Sequence, residues 1–311
     1  MFFISEFLKN ILEFIYRYVG NYGWSVVLFT FLIRMVLLPL DIKSKKSMAR
    51  VQALQPKMKL LQDKYANDKE KLNVKLNELY RKEKVSPFSG CLPMLLSMPI
   101  LFCMFDAMRV LANEHTVQML LNAMRDNAID PNSLQSWLWI KNVFQPDSFM
   151  STIVPTVGNA LQGITQINGS EILTPENLEA VRTFLSTDAY AAIAAQFGAT
   201  TTVYSAPLLF WTINIPGQIN GWFILPVLAA VSQFVSSKLM TPSGNQTEQQ
   251  QSTNKMMTWF FPIFSLFICS SYTAAFAIYW VAVNIIQIVQ QYFVNMIVNK
   301  KDVTTEEVIN P

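Results

Sequence analysis

The sequence is poor in the residues that most enzymes use for chemistry. It has one histidine, His115, three cysteines and a charged fraction of only 14%. Cys91, Cys103 and Cys269 lie in or beside apolar runs without paired spacing, so they make no disulfide framework and read as packing residues. A lone histidine cannot combine with them at metal-ligand spacing. A nucleophile elbow, a phosphate loop, a zinc-protease motif and paired intramembrane carboxylates are also missing. These absences argue against an enzyme, and neither a metal nor a cofactor is expected.

What the chain has in excess is apolar residues, 51% of 311. That share is too large for a soluble surface and points to an all-α integral membrane protein. Charge is unevenly spread. Residues 41–84 hold 13 Lys and Arg against six acids, whereas residues 112–219 hold three (Arg125, Lys141, Arg182) against eight. Basic residues of short loops stay on the cytoplasmic side, which puts the first region inside and the second outside.

Apolar runs at Gly23 to Leu40, Cys91 to Leu111, Gly221 to Met240, Met257 to Ser271 and Ala274 to Val298 give five spans. Pro39 is expected to end the first, and the uncharged CSSYT joins the last two. Five spans with the basic region inside place the N-terminus outside and the C-terminus in the cytoplasm. Lys238, Lys255, Lys300 and Lys301 then all fall inside. The division that follows has transmembrane helices at 21–41, 89–111, 220–240, 257–272 and 273–298. Between and around them lie a cytoplasmic hairpin at 42–88, an enlarged extracytoplasmic loop at 112–219, a cytoplasmic loop at 241–256 and a cytoplasmic tail at 299–311.

Residues 1–20 precede these spans. Glu6, Lys9, Asn10, Glu13 and Arg17 recur there at helical spacing among Phe7, Leu8, Ile11, Leu12, Phe14, Ile15 and Tyr18, which makes an amphipathic helix rather than a cleaved signal. Such a helix fits the headgroup region and fits a protein surface equally well. In the hairpin, Met48, Val51, Leu54, Met58, Leu61 and Tyr65 follow three-and-four spacing, and Leu72, Leu76, Leu79 and Tyr80 answer them after the break at Ala66, Asn67 and Asp68. Lys64, Lys69, Lys71 and Lys75 surround its tip, as solvated charge or as a contact for headgroups or ribosomal RNA. In the outer loop, no charge occurs between Asp188 and Lys238, but Gly198, Thr200 to Thr202 and Pro207 interrupt the run, which reads as a folded outer segment and not a sixth span. Asn168, Gly169 and Ser170 match a glycosylation acceptor, a weak signal on its own.

Arg34 is the exception among the spans. A cation in mid-helix costs about 2.5 to 3.5 kcal/mol on insertion scales, and such residues face a wet cavity or a partner. It lies six residues from Leu40, roughly 9 Å from the cytoplasmic end, with Thr30 one turn back on the same face. Other spans carry polar stripes toward the same leaflet: Gln233, Ser236 and Ser237 in the third, and Asn284, Gln287 and Gln291 in the fifth. Hydrogen bonding between helices accounts for any one of them. A polar, water-accessible concavity in the inner leaflet accounts for all of them together. Asp106 and Arg109, three apart, read as a local interfacial pair.

The run NYGWSVVLFTFLIRMVLLPL, with KSMARVQALQPKMKLLQDKYANDKEKLNVKLNELYRKEKVSPFSGCLPMLLSMPILF after it, closely resembles the YidC family of membrane protein insertases. WLWIKNVFQPD, WFILPVLAAVSQFVSSKLM and MMTWFFPIFSLFICSSYTAAFAIYWVAVNIIQIVQQYF resemble later parts of the family core in the same order. The resemblance implies five transmembrane helices around a hydrophilic inner-leaflet groove, closed outside, with Arg34 at the position of the family's groove arginine. It implies a bacterial plasma-membrane protein that inserts nascent membrane proteins into the bilayer without nucleotide hydrolysis. The resemblance implies action alone or beside the Sec translocon and allows a ribosome contact, and no small-molecule substrate is expected.

Three features depart from the family pattern. The outer segment 148–219 does not align, and YTAAFAIYW has Thr273 and Ala275 where the family commonly has Pro and Gly. The tail carries Asp302, Glu306 and Glu307, which leaves the hairpin as the expected ribosome contact. Two other classes compete with an insertase. A solute transporter is disfavoured by the lack of an internal repeat, and a purely structural assembly factor would depend on the hairpin and outer loop more than on Arg34.

Overall fold

A computed structural model describes residues 2–83, 92–164, 170–200, 204–208, 211–215, 219–240 and 248–309. Its helices are α1 (Phe2–Val19), α2 (Tyr22–Ala53), α3 (Gln55–Lys64), α4 (Lys69–Lys82), α5 (Leu92–Asp126), α6 (Val157–Gly163), α7 (Pro175–Leu185), α8 (Asp188–Thr200), α9 (Ile224–Met240), α10 (Glu248–Ser271) and α11 (Ala274–Ile309). Within the described residues, Tyr22–Ser44 and Ala274–Phe293 are long and apolar enough to cross a membrane, and Ile224–Leu239 is a shorter apolar helix.

The helical expectation holds for the bulk of the chain and needs one correction. Strands β1 (Tyr204–Leu208) and β2 (Trp211–Ile215) pair antiparallel in the outer segment. Their register pairs Tyr204 with Ile215 and Leu208 with Trp211.

Helix ends also differ from expectation. Pro39 does not stop α2, which continues to Ala53. A proline removes one N–H and crowds one carbonyl, a local cost that a long helix can absorb. The ladder breaks instead at Leu54, where Pro56 opens α3. Helix α5 runs 15 residues past Leu111 (126 − 111), because the polar groups that end its apolar run, Asn113 and Glu114, are buried. The helix of the third span begins at Ile224, three residues after Gly221. Asn168 of the glycosylation triplet lies outside the described residues.

The chain divides into two compact units. The first comprises Met1–Phe29, Cys103–Ala229 and Ser265–Val281. In it α1 buries Leu8, Leu12 and Ile15 while exposing Ile4, Phe7, Phe14 and Tyr18. The helix thus packs on protein along one flank and leaves an apolar flank exposed. Lys9 of α1 pairs with buried Glu114 of α5 at 2.5 Å, and the other Glu114 oxygen accepts from Ser170 at 2.6 Å. Val117, Leu120 and Ala123 of the α5 extension form one core with Leu173, Leu178, Val181, Phe184, Leu185, Tyr190 and Ile193 of the outer segment. Asn220 N–H donates to the Ser151 carbonyl at 2.8 Å beside the Thr152–Ile219 bridge, so the outer segment closes on itself at its base. Between α10 and α11, Ala274 and Ala275 N–H donate to the Gln145 and Val143 carbonyls, and the Thr273 hydroxyl accepts from Phe276 N–H. A threonine cap thus makes the bend where the family pattern has Pro and Gly.

The second unit comprises Thr30–Phe102, Ala230–Phe264 and Ala282–Pro311. In it α3 and α4 pack against each other. Met58 and Leu54 are buried, the Tyr80 hydroxyl meets the Met58 sulfur at 3.6 Å, and Lys57 pairs with Glu83 at 2.7 Å. Asp68 caps α4 by accepting from Lys71 N–H at 3.0 Å. At the tip, Lys71 and Lys75 find local partners in Asp68 and Glu78.

Candidate functional site

Thr30, Arg34, Gln233, Ser236, Ser237, Asn284, Gln287 and Gln291 all belong to the second unit. Thr30, Ser236, Ser237 and Asn284 are buried, and Gln233, Gln287 and Gln291 are half-buried. Hydrogen bonds join several of them. The Asn284 amide donates to the Ser232 hydroxyl at 3.1 Å, and the Gln291 amide donates to the Leu239 carbonyl at 3.5 Å. Between these two rungs both helices advance by seven residues, 284 to 291 on α11 and 232 to 239 on α9. Helices α9 and α11 therefore run parallel. Gln233 bonds Ser237 within α9 at 3.4 Å.

Arg34 is 11% exposed, and its Nη1 lies 4.0 Å from the Asp41 carboxylate. Its backbone carbonyl accepts from the Gln290 amide of α11 at 3.1 Å. Gln290 is itself buried, so a polar side chain of α11 is held against α2 beside the arginine. Three residues of this network escaped the sequence reading: Ser232, Gln290 and Asp41. Gln290 lies one residue off the stripe formed by 284, 287 and 291, and Asp41 is followed closely by Lys43, Lys45 and Lys46 in the sequence. Asp41 nevertheless carried a signal, as the one acid between Glu13 and Asp63.

The first unit holds two further buried polar clusters. Asp147, fully buried, accepts from Phe223 N–H at 3.0 Å, Leu225 N–H at 2.7 Å and the Trp139 indole at 3.2 Å. It is thus the cap of α9, reached from 76 residues earlier in the chain (223 − 147). Gly221 permits this approach, since a Cβ there would stand 2.0 Å from the Asp147 Oδ1. His115 meets the Tyr22 hydroxyl at 2.9 Å and stacks on Phe144 at 4.3 Å. Burial of its imidazole lowers the pKa from 6.5 to about 4, with Glu114 opposing the shift and Lys9 adding to it. Asp106 and Arg109 form the expected local pair at 3.0 Å. No group of three or more potential metal ligands occurs among the described residues, and Cys103 and Cys269 are buried free thiols. A cavity of about 200 Å³ in the outer segment, walled by Ile153, Pro155, Tyr190 and Phe197, includes none of the predicted site residues.

Long apolar helices that share buried amide and hydroxyl groups, with an arginine held among them, define a helical membrane protein with a polar interior site. The chain belongs to the 60Kd inner membrane protein family, whose model matches residues 14–301, and the relatives it matches carry the name membrane protein insertase YidC. It is 28% identical over 291 residues to the insertase of Fusobacterium nucleatum, covering 94% of both chains. It is 27% identical over 279 residues to that of Chlorobium luteolum and 26% identical over 299 residues to that of Campylobacter jejuni. These matches take in 90% and 96% of this chain but only 34% and 39% of those longer relatives.

Proposed function

We propose that this protein is a membrane protein insertase that receives hydrophobic segments of nascent membrane proteins in a polar groove and releases them laterally into the bilayer. The groove is lined by Thr30, Arg34, Gln233, Ser236, Ser237, Asn284, Gln287 and Gln291. It belongs to a five-span chain in the bacterial plasma membrane with its N-terminus outside, its hairpin and tail in the cytoplasm, and residues 112–219 outside. The protein works on ribosome-bound clients, either alone or beside the Sec translocon. The observation that carries this reading is the set of polar contacts joining α11 to α9 and to the Arg34 segment of α2 within one unit.

The groove replaces hydrocarbon by water and hydrogen-bonding groups across the inner half of the bilayer, so a client's hydrophilic segment meets a thinner barrier. Arg34 attracts acidic groups of that segment. The client's apolar helix then partitions into lipid, at ~0.8 kcal/mol per buried CH₂, which drives release without nucleotide hydrolysis. The test is crosslinking from positions beside Arg34 to ribosome-bound clients, combined with substitution. Arg34→Ala should reduce insertion of a client with an acidic translocated segment by about tenfold or more, because a charge-assisted contact contributes ~1.5 to 3 kcal/mol. Arg34→Lys should retain much of the activity. Normal insertion of that client by the Ala variant would remove the electrostatic role of Arg34, and clients that never crosslink to this face would remove the groove.

A further inference from the structure

Asp41 lies seven residues after Arg34 on α2, a rise of roughly 10.5 Å and nearly two whole turns, so the two share a face of the helix. Their charged atoms nevertheless stand 4.0 Å apart. The arginine side chain must therefore lie along α2 toward the acid, bringing its charge closer to the cytoplasmic end than its Cα. The two partners differ in wetness: the Asp41 side chain is 30% exposed and that of Arg34 11%.

Resting on the reading of Arg34 as the cation that receives client carboxylates, we propose that Asp41 is its resident counter-ion and sets which clients the groove accepts. Between clients, the carboxylate neutralises a guanidinium that would otherwise stand uncompensated in an apolar helix. A client carboxylate takes the place of Asp41, which has the water contact to swing out and solvate. Basic segments meet a neutralised pair and not a bare cation, so Asp41 widens tolerance for positive charge while weakening capture of negative charge.

The experiment uses the full-length protein in proteoliposomes and three versions of one client, whose translocated segment is acidic, neutral or basic. Asp41→Asn should raise insertion of the acidic version by roughly two- to fivefold, the scale of a partly exposed ion pair. It should lower the basic version by a similar factor and leave the neutral one unchanged. Asp41→Glu should behave as wild type, which separates loss of charge from loss of fold. In Arg34→Gln/Asp41→Asn the preference between acidic and basic versions should vanish. If Arg34→Gln impairs the acidic version but Asp41→Asn alters neither charged version, the role of Arg34 stands and the counter-ion is overturned. If Arg34→Gln leaves the acidic version untouched, both fall together.

Discussion

Replacing Asp147 by alanine should be among the most damaging single changes available in this chain. The carboxylate is fully buried and accepts from three donors, two of them the Phe223 and Leu225 N–H groups at the start of α9 and the third the Trp139 indole. Each donor left buried without an acceptor costs about 1 to 3 kcal/mol, and hydrogen bonds to a charged acceptor lie at the upper end. Water can reach some of the exposed first turn, which reduces the sum, so the expected loss is roughly 3 to 6 kcal/mol. Asp147→Asn retains an oxygen acceptor but not the charge favoured at a helix N-terminus, and should lose about 1 to 2 kcal/mol. Gly221→Ala should resemble the alanine variant, because its Cβ would occupy the space of Oδ1. Unfolding of the purified protein in detergent, followed by tryptophan fluorescence, measures all three. An Asp147→Ala protein within 1 kcal/mol of wild type would refute the reasoning, since a cap that holds the buried Leu225 amide and the half-buried Phe223 amide is not that cheap to remove.

Two further outcomes follow from the first unit. His115 is neutral in the fold and its pKa is depressed to about 4, so above the ordinary value near 6.5 the two states bind the same number of protons and stability is level. As pH falls from there toward 4, only the unfolded chain takes up the proton, and stability drops by on the order of 3 kcal/mol. Unfolding midpoints measured from pH 7 to 4 should show this fall in wild type and a shallower one in His115→Gln; identical profiles would refute it. Gly23 lies against Trp137, whose Cγ would be 2.2 Å from an added Cβ. Gly23→Ala should therefore destabilise by about 1 to 3 kcal/mol, the usual range for overpacking, read as a lowered midpoint in the same fluorescence assay.

The hairpin and the polar stripes were legible because each is a local pattern. Met58 and Tyr80 meet as the three-and-four spacing of their arms requires, and Asn284 and Gln291 lie seven apart on the face that bonds α9. What the sequence concealed depends on partners far along the chain. Hydropathy ended the second span at Leu111 because Asn113, Glu114 and His115 follow. Glu114 is nevertheless buried against Lys9, 105 residues earlier (114 − 9), and His115 against Tyr22, 93 residues earlier. A polar residue with a remote partner is indistinguishable in the sequence from a solvated one. Asp147 likewise read as one acid among eight in the outer loop, although two α9 amides converge on it.

The same long-range contacts explain how α9 can start in register after so long an outer segment. The Asn220 side chain donates to the Asn142, Gln145 and Pro146 carbonyls, and its oxygen accepts from Asn142 N–H. Asp147 then fixes the first turn of α9 from the same short stretch. The chain on either side of residues 151–219 is therefore held by residues outside that segment, and its two ends meet at the Ser151–Asn220 bond. Lengthening a loop whose ends are already pinned together adds only a slowly growing entropy cost. Segment 151–219 meets that cost with a core of its own, built on the turns of α5 beyond Leu111. The extension of α5 and the outer segment thus share one core, and each covers apolar surface of the other.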